Sequence, residues 1–208
     1  MQIDLFTPCV EPSRQHPIFK MLLEEVNAPE RAVISQWAEG FLDRDGKFIQ
    51  EFQLTFESGF WELYLHAVLK MLGMQIDMTV SSPDFVITAP SRMSLEATIA
   101  APAIGGKPAY GYSLEDMPND FTEFNIQSTL RICNSFDSKF RRYQNHYSLN
   151  SSIKSNPYVI GIGAFDRPLS HFSAGRSILA AIYGLYYDEA ATHPDASSVV
   201  SYNVSAAP

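Results

Sequence analysis

Cysteine is nearly absent from this 208-residue sequence, which carries only Cys9 and Cys133. The two lie far apart, form no metal-ligand pair, and read as free thiols of a reducing compartment. The five histidines, His16, His66, His146, His171 and His193, show no zinc-like spacing. No apolar run approaches the roughly 18 residues of a membrane-spanning helix. The opening MQIDLFTPCVEPSRQHP lacks a basic start followed by an apolar stretch, so no secretory signal is expected and the chain is read as cytoplasmic. A glycine-rich phosphate loop is missing too, because Gly161-Ile162-Gly163 sits within a strand pattern and lacks the spaced glycines and following helix start. Positive charge is scarce. Fifteen Lys and Arg face 23 Asp and Glu, a formal net charge of -8. A protein that grips phosphates usually presents a basic face. Nucleic-acid binding here would need a local patch, or a homodimer or larger complex supplying one.

What is present is ample apolar material, 46% of residues against 18% charged, enough for a globular core. Prolines at 8, 12, 17 and 29 break the first fifty residues into short pieces. Helices are expected over His16 to Val26 and Arg31 to Phe41, and a strand or extended lead-in over Lys47 to Phe56. Phe60, Trp61, Tyr64, Leu65, Val68 and Met71 recur at helical spacing after Ser58 as N-cap and before Gly73 as terminator. Strands follow over Met74 to Val80, Asp84 to Thr88 and Met93 to Ala100. After a Pro- and Gly-rich loop, residues 120–145 predict a long helix with the stripe Ile126, Leu130, Cys133, Phe136, Phe140 and Tyr143. Tyr158 to Phe165, apolar on both faces, predicts a central strand, and 173–187 a last helix. This order suggests an α/β core, a mixed sheet flanked by helices. The division expected is a helical cap over 1–55, a core over 56–188 and a flexible tail over 189–208.

Asp84 follows Pro83 into one strand, and Glu96 sits in the apolar centre of the next. Strand alternation sends Leu95, Ala97 and Ile99 to one face and Ser94, Glu96 and Thr98 to the other. A hairpin would bring Asp84 near Glu96. Adjacent buried carboxylates require a cation or a shared proton, and a hard divalent ion suits oxygen ligands.

These residues resemble the PD-(D/E)xK, or restriction-endonuclease-like, nuclease superfamily. Pro83-Asp84 matches its first element, Glu96-Ala97 the second, and Glu62 within FWELYL the helical acid. With LRICNSFDSKFRRY and PYVIGIGAFD, the ordered set is similar to a bacterial group within that superfamily. The resemblance implies Mg2+ or Mn2+ held by Glu62, Asp84 and Glu96, and a DNA endonuclease, a role such as defence against foreign DNA included. Its departure is Thr98, where the family places a lysine beside the attacking water. Either lysine has migrated, with Lys139 as first donor and Lys107 second, or the metal suffices, or the site is silent. The catalytic set expected is therefore Glu96, Thr98 and Lys139. Arg131, Lys139 and Arg142, on the only dense basic stretch, are the candidate phosphate contacts. Tyr143 and Tyr147 read as core before base-stacking groups, and His66 as a bystander one helical turn from Glu62. The rival reading is an inactive nuclease fold acting as a binding or assembly module. A third reading, paired carboxylates acting on sugars, predicts glycan cleavage without added metal.

Overall fold

The N-terminal segment turns helical where its phenylalanines recur four residues apart. The structure is a computed structural model and describes residues 3–188 and 190–203. α1 (Pro17–Leu23) buries Phe19 and Leu22, and α2 (Ala28–Trp37) buries Ile34. α3 (Phe48–Thr55) occupies the stretch expected to be extended. Asp43 and Asp45 accept hydrogen bonds from the Phe48 and Lys47 amides at its start. Phe48 and Phe52 then fall on one helix face, with Phe52 fully buried. A spacing of four makes a helix of the stretch expected to be a strand or extended lead-in.

α4 (Glu57–Met71) begins one residue before Ser58, whose hydroxyl bonds that of Thr55 rather than capping the helix. Its buried residues are Gly59, Leu63, His66 and Leu69, so the expected stripe is rotated. Tyr64 and Met71 are exposed. The helix is apolar nearly all round, and Gly59 selects the buried face. A Cβ there would lie 3.0 Å from the Phe52 ring. Gly73, at φ +71, ends the run as expected.

β1 (Gln75–Asp77), β2 (Phe85–Ala89), β3 (Met93–Ala100) and β4 (Tyr158–Ala164) form one sheet in the order β1-β2-β3-β4. The strand expected over Met74 to Val80 is cut short because the Asp77 carboxylate accepts from both the amide and hydroxyl of Thr79, which turns the chain. β1 and β2, then β2 and β3, pair antiparallel. The Ser94 amide donates to Pro157 O and the Phe165 amide to Ala100 O. Those partners ascend together, so β4 runs parallel to β3 and the sheet is mixed. β4 lies at the end of the sheet order, not at its centre, and Val159 is exposed.

α5 (Phe121–Asn145) and the short α6 (Ser151–Lys154) precede β4. The chain divides into two compact units. The first holds the described residues up to Thr98 together with Lys139–Gly163. The second holds Ile99–Ser138 and the described residues from Ala164 on. In the first, α4 covers the sheet face that carries Leu95, with Leu65 against Gly161. The last turns of α5 cover the face that carries Glu96. Leu5, Phe19, Phe41, Phe52, Leu63, Phe85 and Leu95 share one hydrophobic cluster. Residues of the stretch expected as a helical cap thus share this core.

The second unit has a partly polar interior, in which Phe124, Ile132 and Leu169 are buried as well. Asn125 and Ser128 of α5 are buried, while Leu130 and Phe136 of the expected stripe are exposed. Ser128 Oγ donates to Asp166 Oδ2 at 2.9 Å, and Ser173 Oγ to Asn125 Oδ1 at 2.8 Å. α7 (Arg176–Tyr183) is shorter than the helix expected over 173–187. Gly184, at φ +63, stops it, and β5 (Leu185–Tyr187) follows. Within the stretch expected to be a tail, β6 (Ser201–Asn203) pairs antiparallel with β5; residues 189 and 204–208 of that expectation lie outside the described residues. Among the described residues no helix is long and apolar enough to cross a membrane. Cys9 and Cys133 are both unpaired.

Candidate functional site

The β2–β3 register fixes the first two acids. Phe85 pairs with Leu95 and Val86 with Ser94, so one further step places Asp84 across from Glu96. Asp84 Oδ2 accepts from the Ala97 amide at 2.7 Å, which ties the turn before β2 to the strand that carries Glu96. Pleating sends Glu96 to the face opposite Leu95, and the residue is only 1% exposed.

Glu96 is surrounded by donors. Lys139 Nζ stands 2.8 Å and Arg142 Nη1 3.3 Å from Oε1, while the Tyr147 hydroxyl donates to Oε2 at 3.3 Å. Lys139 and Arg142 are one turn apart on α5, so a single helix face delivers both cations. Arg142 reaches Ser82 Oγ at 3.3 Å through Nη2, and Ser82 Oγ bonds the Tyr147 hydroxyl. The Arg142 guanidinium also lies 5.3 Å from the centre of the Tyr147 ring. Tyr158, 4.6 Å from Tyr143 between ring centres, has a buried hydroxyl with no hydrogen-bond partner.

Glu62 approaches from α4. Arg44 Nη2 is 3.4 Å from Glu62 Oε1, and its Nη1 donates to Val80 O at 2.6 Å and Asp84 O at 2.8 Å. An opening of about 180 Å³, lined by Asp43, Arg44, Asp45, Glu51, Glu62 and Asp84 among others, lies beside these groups.

The three acids act on one another electrostatically. Burial, then the Asp84 charge, pushes the Glu62 carboxyl up to about 8, against the pull of Arg44. Burial, then Glu96, raises Asp84, opposed by the Ala97 amide, Lys139 and Arg44. Burial raises the Tyr147 and Tyr158 phenols as well, with Glu96 adding to both. One charge-poor pair, Glu62 and Asp84, therefore adjoins one well-compensated acid, Glu96.

Of the residues singled out from sequence, the first unit brings together Glu62, Asp84, Glu96, Lys139 and Arg142. Thr98 follows Glu96 on the same strand face and is half-buried, but its hydroxyl enters none of the bonds that hold the acids. Arg131 belongs to the second unit, where its guanidinium donates to the carbonyls of Ala101 and Pro102. That fastens a loop. Lys107 is engaged by Asp116 in the same unit. His66 is a core residue whose Nδ1 lies 2.8 Å from Trp37 O.

Sequence reasoning missed Arg44, Ser82 and Tyr158, and read Tyr147 as core before base-stacking, not as a partner of Glu96. Ser82 could have been found as the neighbour of Pro83-Asp84. Arg44, inside an Asp-Arg-Asp-Gly turn, carried no signal.

Among the described residues, no three His, Cys, Asp or Glu side chains form a group that could hold a metal ion as they stand. Glu96 is drawn to Lys139 and Arg142, and Glu62 to Arg44. In kind the donors fit a divalent cation. They are hard oxygens, Glu96 buried and the other two half-buried, and Arg44 offsets the Glu62–Asp84 pair through one long contact at 3.4 Å. Comparison of the chain with family models, curated proteins and solved structures gives no match.

Proposed function

We propose that this protein is a Mg2+- or Mn2+-dependent phosphodiesterase acting on DNA. The observation that carries the reading is the convergence of Glu62, Asp84 and Glu96 with Lys139 Nζ 2.8 Å from Glu96. The resemblance asks for a lysine beside the second strand acid, and α5 supplies an ammonium there although β3 offers Thr98. Glu62, Asp84 and Glu96 would hold the ion, which when bound would lower the pKa of a water and draw charge from the phosphate. Asp84 is oriented by the Ala97 amide, and Lys139 orients the water and offsets charge as the phosphate is attacked. Arg142, half exposed at 49% and anchored on Glu96, meets a flanking phosphate.

The test combines binding with cleavage. Mn2+ at about 100 times its Kd should stabilise the wild type by about 2.7 kcal/mol, and Glu96→Ala should abolish that gain. Plasmid and single-stranded DNA should be cut by the wild type with Mn2+, and not by Glu96→Ala. Failure of Mn2+ to stabilise the wild type refutes the metal site.

A second reading rests on a specific observation: Arg44, Lys139 and Arg142 set three cations against the three acids. A self-neutralised cluster suits an inactive nuclease fold serving as a binding or assembly module. Mn2+ binding with no cleavage of DNA or RNA favours that reading.

A further inference from the structure

We infer that Arg44, from the N-terminal region, is a positioning residue that holds the Asp84 turn against Glu62. The inference rests on the carboxylate-site reading for its functional consequence, and on backbone geometry for the positioning itself.

The turn Val80-Ser81-Ser82-Pro83-Asp84 connects β1 to β2 and has no regular ladder of its own. One nitrogen of Arg44 closes it from both ends, Nη1 donating to Val80 O at 2.6 Å and to Asp84 O at 2.8 Å. The other nitrogen turns to Glu62 on α4, at 3.4 Å. Three segments distant in sequence therefore meet at one guanidinium, on a side chain only 13% exposed. The planar fork makes this possible, since its donors point in fixed and different directions. An ammonium is a point donor and cannot span two carbonyls and a carboxylate in the same way.

Asp84 is the residue this clamp aims. Its carbonyl is held by Arg44 and its carboxylate by the Ala97 amide at 2.7 Å. Releasing the first should loosen the second, because a turn free at Val80 and Asp84 can rotate the side chain away from β3. Asp43 and Asp45 flank Arg44 and accept from the amides of Phe48, the first residue of α3, and of Lys47 before it, which fixes the loop from which the arginine reaches. The N-terminal region thus contributes to the site through its backbone geometry as well as to the core.

The experiment pairs Arg44→Ala with Arg44→Lys, in the full chain. Amide hydrogen exchange at Ala97 reports the Asp84 bond directly and needs no metal. Both variants should lose protection at Ala97, while amides of α1 and α3 keep theirs. Mn2+ affinity by calorimetry should drop about 10- to 100-fold, the usual cost of losing a residue that orients metal ligands. Guanidinium ion at sub-denaturing concentration should restore affinity to Arg44→Ala, and tetramethylammonium should not. If Arg44→Ala proves unfolded, Arg44→Lys carries the test alone. Wild-type protection at Ala97 in a folded variant overturns the inference, as does unchanged Mn2+ affinity. Protection lost at Ala97 with no Mn2+ binding by the wild type upholds the positioning role and refutes the metal site.

Discussion

Glu96 and Glu62 are acids of one cluster, the first buried and the second half-buried, yet the protein treats them in opposite ways. Glu96, 1% exposed, lies within reach of Lys139, Arg142 and the Tyr147 hydroxyl. Glu62, with 19% of its side chain exposed, has a single long contact to Arg44 at 3.4 Å and faces Asp84 besides. Burial raises the cost of charge at both, and partners decide how that cost is met. At Glu96 it is met with cations and at Glu62 with a proton retained up to a pH of about 8. An incoming divalent ion would then replace a proton at one end and compete with an ammonium at the other.

The Glu96 end should fail hardest when its cation is removed. Lys139→Met leaves an almost inaccessible carboxylate with only the half-exposed Arg142 and a phenol. Removing one partner of a buried pair costs roughly 3–5 kcal/mol. Adding Glu96→Gln to that variant should recover most of the loss, because the uncompensated charge then disappears. Urea denaturation of the two single variants and the double variant measures the coupling. A loss below about 1 kcal/mol in Lys139→Met would mean that Arg142 and Tyr147 suffice, and the contrast between the two ends would vanish.

At the Glu62 end the effect is a slope with pH. The folded carboxyl titrates near 8 and its ordinary value is 4.5. Between those values the native state keeps a proton that the unfolded chain has released. Stability from this group is therefore whole below pH 4.5, falls as pH rises, and is gone above about 8. The steepest stretch should approach about 1 kcal/mol per pH unit. Asp84, raised by burial and by Glu96, slopes the same way from its own ordinary value. Glu62→Gln should flatten the profile over this window, as followed by urea midpoints at successive pH values. An unchanged profile would show that Glu62 is charged at neutral pH and that Arg44 compensates it fully.

How much of this was legible depended on which force ruled locally. The β2–β3 hairpin was readable because alternation and the Pro83 turn agree, and from it the Asp84–Glu96 opposition follows. Glu62 was singled out by resemblance alone, and α4 sets it beside Arg44. The helix α3 was not, because Lys47 to Phe56 suits either period and only the packing of Phe48 and Phe52 decides between them. The buried face of α5 was misread for a physical reason. Asn125 and Ser128 are paid for by Ser173 and Asp166 from later in the chain, and no local pattern reports such partners. Arg44 escaped for the same reason, its acceptors lying at Val80, Asp84 and Glu62. Arg131 had the right helix but belongs to the other unit, where it fastens a loop.

Between the two ends, Tyr147→Phe should cost about 1 kcal/mol, the worth of an ordinary hydrogen bond. Its hydroxyl serves Ser82 and Glu96 together, and the ring stays packed on Arg142. If thermal unfolding shows no loss at all, the phenol is not part of what compensates Glu96.

The smallest effect should come from Thr98, where the sequence departs from the nuclease pattern it resembles. Thr98 shares the strand face of Glu96, so its position invites a role beside the attacked phosphate. Its hydroxyl, however, makes none of the contacts that hold Glu96 or Asp84, and the ammonium beside Glu96 comes from α5. Valine keeps the β-branched shape that suits a strand and deletes only the hydroxyl. Thr98→Val should therefore change stability by no more than about 0.5 kcal/mol, and leave Mn2+-dependent cleavage at the wild-type rate where Lys139→Met abolishes it. A Thr98→Val rate as low as that of Lys139→Met would return the water-orienting role to the strand and leave Lys139 as a structural counter-charge.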